Sequence, residues 1–417
     1  MISRAQWTVL ALVLAVFLVD GMDTQMMAVV VPSLAPEWHL GASAFALALA
    51  MGHAGGAAGG ALGGVLGDRI GVRNAVILCL VLFGALSLLL IAVHDLRHLE
   101  LLRLLCGLGL GAAIAPALAL LTEFFTARQR SLVISLAFLC SPLGITAAGL
   151  LAAYVMPLHG WQALFLVAGV TPLVLAGVLP LLLPEVSPGA PQRATGHGGA
   201  APSDARRYRS RQTVRELWAQ IVWTAPVGLF VGFVFTYGAM SLVLAWLPAL
   251  LAGHGMSLRD AGLMISVWSG SGIVGAPVCG WAAGRWGVRR VTTIAALVST
   301  SGAAAIALNM LWTAGSPVAG VAFYVPLAVA GATANGLIIL LYSLGAELFP
   351  APIRSTGLGL AATAGRTGAI ATAFLGGRIT EVTGVAGFFA LTALLLLAAC
   401  LGVNLERSRR GVVSNPS

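Results

Sequence analysis

The amino-acid sequence predicts an all-α membrane protein: twelve transmembrane helices arranged as two pseudo-symmetric six-helix bundles. Three observations carry that expectation. Of the 417 residues, 59% are hydrophobic and 9% charged, and the mean hydropathy is +0.96. That leaves too little charge to cover a soluble domain. Apolar stretches of about 20 residues, long enough for one helix to cross a bilayer, recur from end to end. Two pairs of short motifs also repeat at nearly the same offset, which divides the chain into halves.

The first half, residues 1–183, holds apolar runs at 7–33, 44–66, 74–93, 99–121, 131–155 and 162–183. The first run has no small-residue cleavage site ahead of its aspartates, so it is expected to remain as a span and not to leave as a signal peptide. Residues 184–217 are rich in Pro, Gly, Ser and Arg without an apolar period, the composition of a polar linker. The second half, 218–403, holds runs at 218–248, 261–283, 291–312, 318–341, 356–378 and 384–403, and residues 404–417 form a polar tail. "GVLGDRIGVR" (64–73), after the second run, returns as "GWAAGRWGVR" (280–289) after the eighth. "EFFTARQRS" (123–131), ending the fourth, returns as "ELFPAPIRS" (347–355), ending the tenth. Parallel six-span repeats place a substrate site between the halves.

All 23 basic residues are Arg. With the N-terminus inside, inner loops and tails hold 18 of them and outer loops three, Arg97, Arg259 and Arg378. Cationic residues gather on the cytoplasmic side of spans, so both termini are expected in the cytoplasm of a bacterial-type inner membrane. The same spacing, in short clusters between spans, speaks against a nucleic-acid partner, and no oligomeric partner is implied. Without Lys there is no P-loop, no Schiff base and no Ser–Lys dyad. With neither metal-ligand spacing nor a G-x-S-x-G motif, an enzyme, a metal site and a cofactor are not expected. The five cysteines fall singly in apolar runs, as small buried hydrophobes.

"GGVLGDRIGVR" (63–73) resembles the signature loop between helices two and three of the major facilitator superfamily, G-x-x-x-D-R-x-G-R-R/K, through Gly64, Asp68, Arg69, Gly71 and Arg73. "RLLCGLGLGAA" (103–113) is similar to that superfamily's fourth-helix motif, R-x-x-x-G-x-G. More narrowly, "DGMDTQMMAVVVPSLAPEW" (20–38) resembles the first helix of the aromatic acid:proton symporter family, and residues 116–131, 141–174 and 345–370 follow the same family's pattern. Gln162 stands where an Arg often follows the Trp, and Gly284 replaces in the second signature loop the acid that Asp68 supplies in the first. The resemblance implies a secondary transporter that takes up an aromatic carboxylate, such as a hydroxybenzoate, together with protons by alternating access, with a functional Arg at position 366. The rival on the same fold is a proton-coupled exporter. Its fifth-helix motif, G-P-x-x-G-G, is met only in part by "CSPLGITAAG" (140–149).

Residue chemistry points to the same region. Asp20 lies about 13 residues into the first span, roughly 20 Å deep at about 1.5 Å per residue, and Asp23 follows on the same face. Facing lipid, each charge would cost about 3 kcal/mol or more, so the two must face a cavity. Two carboxylates in one low-dielectric site cannot easily both ionise, which is what proton coupling requires; the other reading is a structural ion pair with an intramembrane Arg. Gly21 between them lets another backbone approach. Arg366, in "TAGRTGAI", has no acid in its own span and needs either these aspartates or a substrate carboxylate. Arg103 either snorkels outward or joins the coupling. His53 either relays protons or packs within a glycine-rich helix whose Gly52/56/60/64 and Gly55/59/63/67 stripes allow close helix contact. Tyr237, Trp246, Trp268 and Tyr342 are candidates to line a pocket for a planar ring, and Asn335 to hydrogen-bond a ligand. Asp68, Arg69, Arg73, Glu123, Arg130, Glu347 and Arg354, at inner helix ends, are read as a cytoplasmic gate that holds the outward-open state.

Overall fold

The computed structural model describes residues 4–182, 227–312, 320–349 and 354–413. Among them there is no strand. In the first half, helices α1 (Arg4–Glu37), α2 (Ala46–Ile70), α3 (Val72–Leu89), α4 (Leu96–Phe124), α5 (Ala127–Tyr154) and α6 (Gln162–Leu182) follow the six apolar runs. In the second, α7 (Val227–Gly253), α8 (Leu258–Trp286), α9 (Val288–Trp312) and α10 (Val321–Leu348) do likewise. A single helical run, Arg354–Val413, then contains the last two spans. Its apolar part of 48 residues would reach about 70 Å if straight, twice what one crossing of the roughly 30 Å core needs. It breaks at Gly384, where φ 60° and ψ −165° lie in a region open only to glycine. Residues 354–383 are α11 and 385–413 are α12, which gives the twelve spans expected. The expected linker 184–217 lies outside the described residues. The last helix runs past the expected end of its span into the stretch read as a tail.

The internal repeat is visible in backbone geometry. Gly71, between α2 and α3, has φ 87° and ψ 145°, and Gly287, between α8 and α9, has φ 88° and ψ 138°. Both turns need a residue without Cβ, so the two signature loops share a conformation as well as a sequence.

One boundary differs for a physical reason. The sequence reading ends the seventh span at Pro248, but α7 continues to Gly253. Proline has no N–H to offer the carbonyl four residues back, here that of Leu244. The Gln25 side-chain amide, from α1 in the other half, donates to that oxygen at 2.9 Å. A polar side chain from across the interface thus satisfies the carbonyl that Pro248 frees.

Helix α2 packs on α4, α1 on α5, and α3 on α4 and α6; in the second half α7 packs on the α11–α12 run, α8 on α10, and α9 on α10 and the same run. The α2–α4 contact is backbone to backbone. A Cβ on Gly55, Gly59 or Gly63 would collide with the carbonyl oxygens of Leu104, Leu108 and Ala112, and one on Gly107 or Gly111 with those of Gly52 and Gly56. Gly21 is pressed in the same way against the Ser141 carbonyl of α5.

The halves meet through α1–α7, α5–α8 and α2–α11. Most of their side-chain bonds lie toward the face that carries the α1–α2 turn. Beyond Gln25, the Ser266 and Ser269 hydroxyls of α8 donate to the Thr146 and Pro142 carbonyls of α5 at 3.1 and 2.9 Å. Gly377 of α11 sits against Ser43. At the opposite face, where α1 begins and α12 ends, Asp68, Arg69 and Glu123 of one half form no ion pair with Glu347 of the other. The cross-half side-chain bonds thus gather toward one face, the sealed one, and thin out toward the other, the parted one.

Close contact between α2 and α4 yields a direct test. Gly59→Val should lower the melting temperature of the purified protein in detergent, by the about 1–3 kcal/mol or more that overpacking costs. Gly64→Ala, which has nothing within 4 Å of the added atom, should leave it unchanged.

Candidate functional site

The tight α2–α4 contact fixes where Arg103 points. Its guanidinium lies beside Gly52, 2.9 Å from where a Cβ would be, and Nη1 donates to Asp23 Oδ1 at 2.7 Å. Both are deep in the fold, Arg103 at 3% and Asp23 at 7% exposure. Arg103 therefore does not snorkel outward. It turns inward to α1, and burial makes this charge-assisted bond a strong one.

Asp20, one turn nearer the N-terminus, is different. It is half-buried, and among the described residues its carboxylate has no hydrogen bond and no ion pair within 4.0 Å. The charges of Arg366 and Asp23 both act on it. Arg366, half-buried on α11, crosses to the other half, where its Nη1 donates to the Gly56 carbonyl of α2 at 3.1 Å. Gly60 leaves room for it, with Nη1 3.0 Å from where a Cβ would stand. No carboxylate pairs with Arg366 among the described residues. An uncompensated guanidinium at this depth is tolerable only beside water or an anion.

His53 joins this cluster. Its Nε2 lies 3.3 Å from the Ser241 hydroxyl of α7, which donates to the Ala369 carbonyl of α11 at 3.0 Å; His53 thus meets the other half with its Nε2 as the donor. Arg103, Asp23 and Arg366 are all close enough to act on its charge. Residues from α1, α2, α4, α7 and α11 thus gather between the halves, Asp20, Asp23, Ser241 and Arg366 near the middle of their helices and His53 and Arg103 about two turns from the start of theirs.

The aromatic candidates separate into two kinds. Tyr237 and Tyr342 are half-buried and both pack against Phe233, and Tyr237 also lies on Gly365 beside Arg366. Trp246 and Trp268 are each 1% exposed, so neither offers a face to a ligand here, a correction to the sequence reading. Trp246 plugs the sealed face, its Nε1 donating to the Ala373 carbonyl at 2.9 Å and its ring lying on Gly376 and Gly377. Asn335 also departs from its expected role. Its amide donates to the Gly331 carbonyl of its own helix at 2.8 Å, and its side chain packs on Gly272.

Of the expected gate residues, Asp68, Arg69, Glu123 and Glu347 are exposed and form no ion pair among the described residues. Arg73 Nη2 donates to the Pro180 carbonyl at 2.8 Å, and Arg130 donates to the Phe125 and Thr122 carbonyls at 3.0 and 2.5 Å, bonds within their own half. The side chain of Arg354 lies outside the described residues.

Two six-helix bundles that meet at a buried charge cluster form the architecture of a secondary transporter embedded in a membrane. The family model of the Major Facilitator Superfamily matches residues 13–316 and 229–415, and the chain belongs to that superfamily. It is 29% identical to the 4-hydroxybenzoate transporter PcaK of Pseudomonas putida, over 97% of this chain and 92% of that protein. It is 30% identical to the gallate transporter of Pseudomonas putida, over 96% and 92%, and 31% identical to the 3-(3-hydroxy-phenyl)propionate transporter of Escherichia coli (strain K12), over 79% and 76%. Among solved structures, the D-xylose-proton symporter superposes with a TM-score of 0.74 at 18% identity, covering 95% of this chain and 97% of that one, a likeness of fold.

The ion pair can be tested without substrate. Removing one partner strands the other charge, at a cost of about 3–5 kcal/mol. Arg103→Met and Asp23→Leu should each depress the melting temperature sharply, and the double variant should recover much of the loss. Asp20→Asn, which breaks no bond, should stay near the parent in the same melt.

Proposed function

We propose that the protein is a proton-coupled symporter that brings a monovalent aromatic carboxylate of the hydroxybenzoate class into the cytoplasm. The observation that carries this reading is the charge balance of the central cluster. Arg103 and Asp23 cancel in a direct bond. Arg366 and Asp20 cancel only at a distance, each without a direct partner among the described residues. With His53 neutral the cluster sums to zero. A bound carboxylate at Arg366 adds one negative charge, and one proton on Asp20 returns the sum to zero. Moving a net charge through low dielectric is costly, so the loaded carrier crosses most easily with both ligands aboard, and the empty one with neither.

The excess of Arg on the loops at the chain termini supports a cytoplasmic location for both termini in an inner membrane. The parted face then opens to the cytoplasm, and the sealed face, plugged by Trp246 and bridged by Gln25, looks outward. In the opposite state the signature-loop charges Asp68, Arg69 and Arg73, with Glu123 at the end of the fourth span, would approach Glu347 and Arg354 and close the inner face. The printed names of the relatives, transporters of 4-hydroxybenzoate, gallate and hydroxyphenylpropionate, support a ring-bearing acid as the cargo.

Proteoliposomes test this. An inward proton gradient should drive accumulation of labelled 4-hydroxybenzoate above its outside concentration, and collapsing the gradient should remove the excess. Arg366→Ala should lose transport by at least about tenfold, as expected when a charged group loses its partner. Asp20→Asn should still exchange substrate across the membrane yet fail to accumulate it. Accumulation by Asp20→Asn equal to the parent would sink the assigned proton site.

A further inference from the structure

Five rings run in unbroken contact away from the charge cluster toward the parted face. Phe17, one turn before Asp20 on α1, meets Phe138 of α5 edge to face at 5.2 Å between centroids. Phe138 meets Tyr342 of α10 at 6.4 Å, Tyr342 meets Phe233 of α7 at 5.1 Å, and Phe233 stacks on Tyr237 at 6.1 Å. The Phe138–Tyr342 contact is the one that crosses between the halves, and it is the loosest of the four. Phe138 is 46% exposed although it lies between Phe17 and Tyr342, so part of its ring stays uncovered at this contact between the halves. Tyr342 is half-buried beside it.

The phenols add direction. Tyr237 packs on Gly365, beside Arg366, and shares the Phe233 ring with Tyr342. A phenol O–H can donate as well as accept. A carboxylate seated on Arg366 would place its ring toward Tyr237, Tyr342 and Phe138, the members of this row that are not fully buried. We propose that Tyr342, packed on Phe233 and faced by Phe138 from the other half, reads a hydroxyl on the far edge of the substrate's ring. This rests on the aromatic-acid reading above and adds the residue that separates hydroxylated from plain benzoates. A site built to bond a hydroxyl discriminates strongly against the analogue without it, because its own polar group is then left unpaired. Phe138 supplies ring contact without regard to the hydroxyl.

Calorimetric titration of the purified full-length protein with 4-hydroxybenzoate and with benzoate tests the assignment. The parent should favour 4-hydroxybenzoate. Tyr342→Phe should weaken 4-hydroxybenzoate about tenfold, the scale of one hydrogen bond, and leave benzoate within about twofold, so that the ratio collapses. Phe138→Leu should weaken both acids alike and keep the ratio. A Tyr342→Phe protein that retains the parent ratio, or that loses both acids equally, overturns the proposal while leaving the aromatic-acid reading in place. A parent protein that binds neither acid overturns both.

Discussion

Arg103 carries a permanent charge at a depth where water is scarce, and the central cluster is arranged around that fact. A guanidinium cannot shed its proton, so it must be met by an anion or by solvent. Asp23 meets it, but only because α2 lets α4 approach until backbones touch. Gly55, Gly59 and Gly63 on one side and Gly107 and Gly111 on the other remove every Cβ that would keep the helices apart. Gly52, one turn along, then leaves the space that the guanidinium fills. The glycine stripes thus do more than permit sliding: they set the position of a charge. Once Asp23 is committed to Arg103, the second aspartate and the second arginine are left as the pair without a direct bond, and those are the groups able to exchange partners.

The contacts that hold the halves together have a common form. Gln25, Ser266, Ser269 and Arg366 each reach across and donate to a helix carbonyl, in three cases to an oxygen already engaged by its own helix. Carbonyls have a second lone pair, so such bonds can be broken without stranding the acceptor. Only the Leu244 oxygen, freed by Pro248, depends on its cross-half donor. An interface built this way resists lipid entry while it is closed and costs little to part. Apolar plugs such as Trp246 give it bulk. Asp68, Arg69, Glu123 and Glu347 at the other face are exposed, so pairing them across the halves gives only a modest gain. Two shallow minima of this sort suit a molecule that must alternate between them.

Much of the fold was legible because the bilayer allows few alternatives. Once a run of residues is apolar and long enough, it has to be a helix, and the break between the last two runs could be placed just before Gly384 with no knowledge of its dihedral angles. The charged members of the site were legible for the same reason: an Asp or Arg inside a span is expensive and demands a use. Which acid pairs with which base was not. That depends on the approach of α2 to α4 and on the turn of α1, both tertiary. Ser241 and Phe138 went unread, since a single hydroxyl or ring in an apolar run looks like every other. Pro248 was read as a stop because the donor that rescues its carbonyl lies more than two hundred residues away. The gate charges were recognisable as repeated motifs, yet sequence alone could not say in which conformation they meet.

The division of labour among the aromatic side chains follows from the same accounting of donors. A buried indole has one donor and no acceptor; Trp246 spends its N–H on the Ala373 carbonyl and thereafter offers only bulk, which suits a plug. A phenol both donates and accepts. Tyr237 and Tyr342 are half-buried, so their hydroxyls can meet solvent in an empty site and a ligand in a filled one. Phenylalanine asks for nothing, so Phe138 can stand half exposed between the bundles without demanding water. A cargo with a charged end and a ring matches that order: arginine first, then phenol and phenyl faces toward the open side. A sugar, which needs many donors and acceptors spread around its edge, would find few partners in such a site.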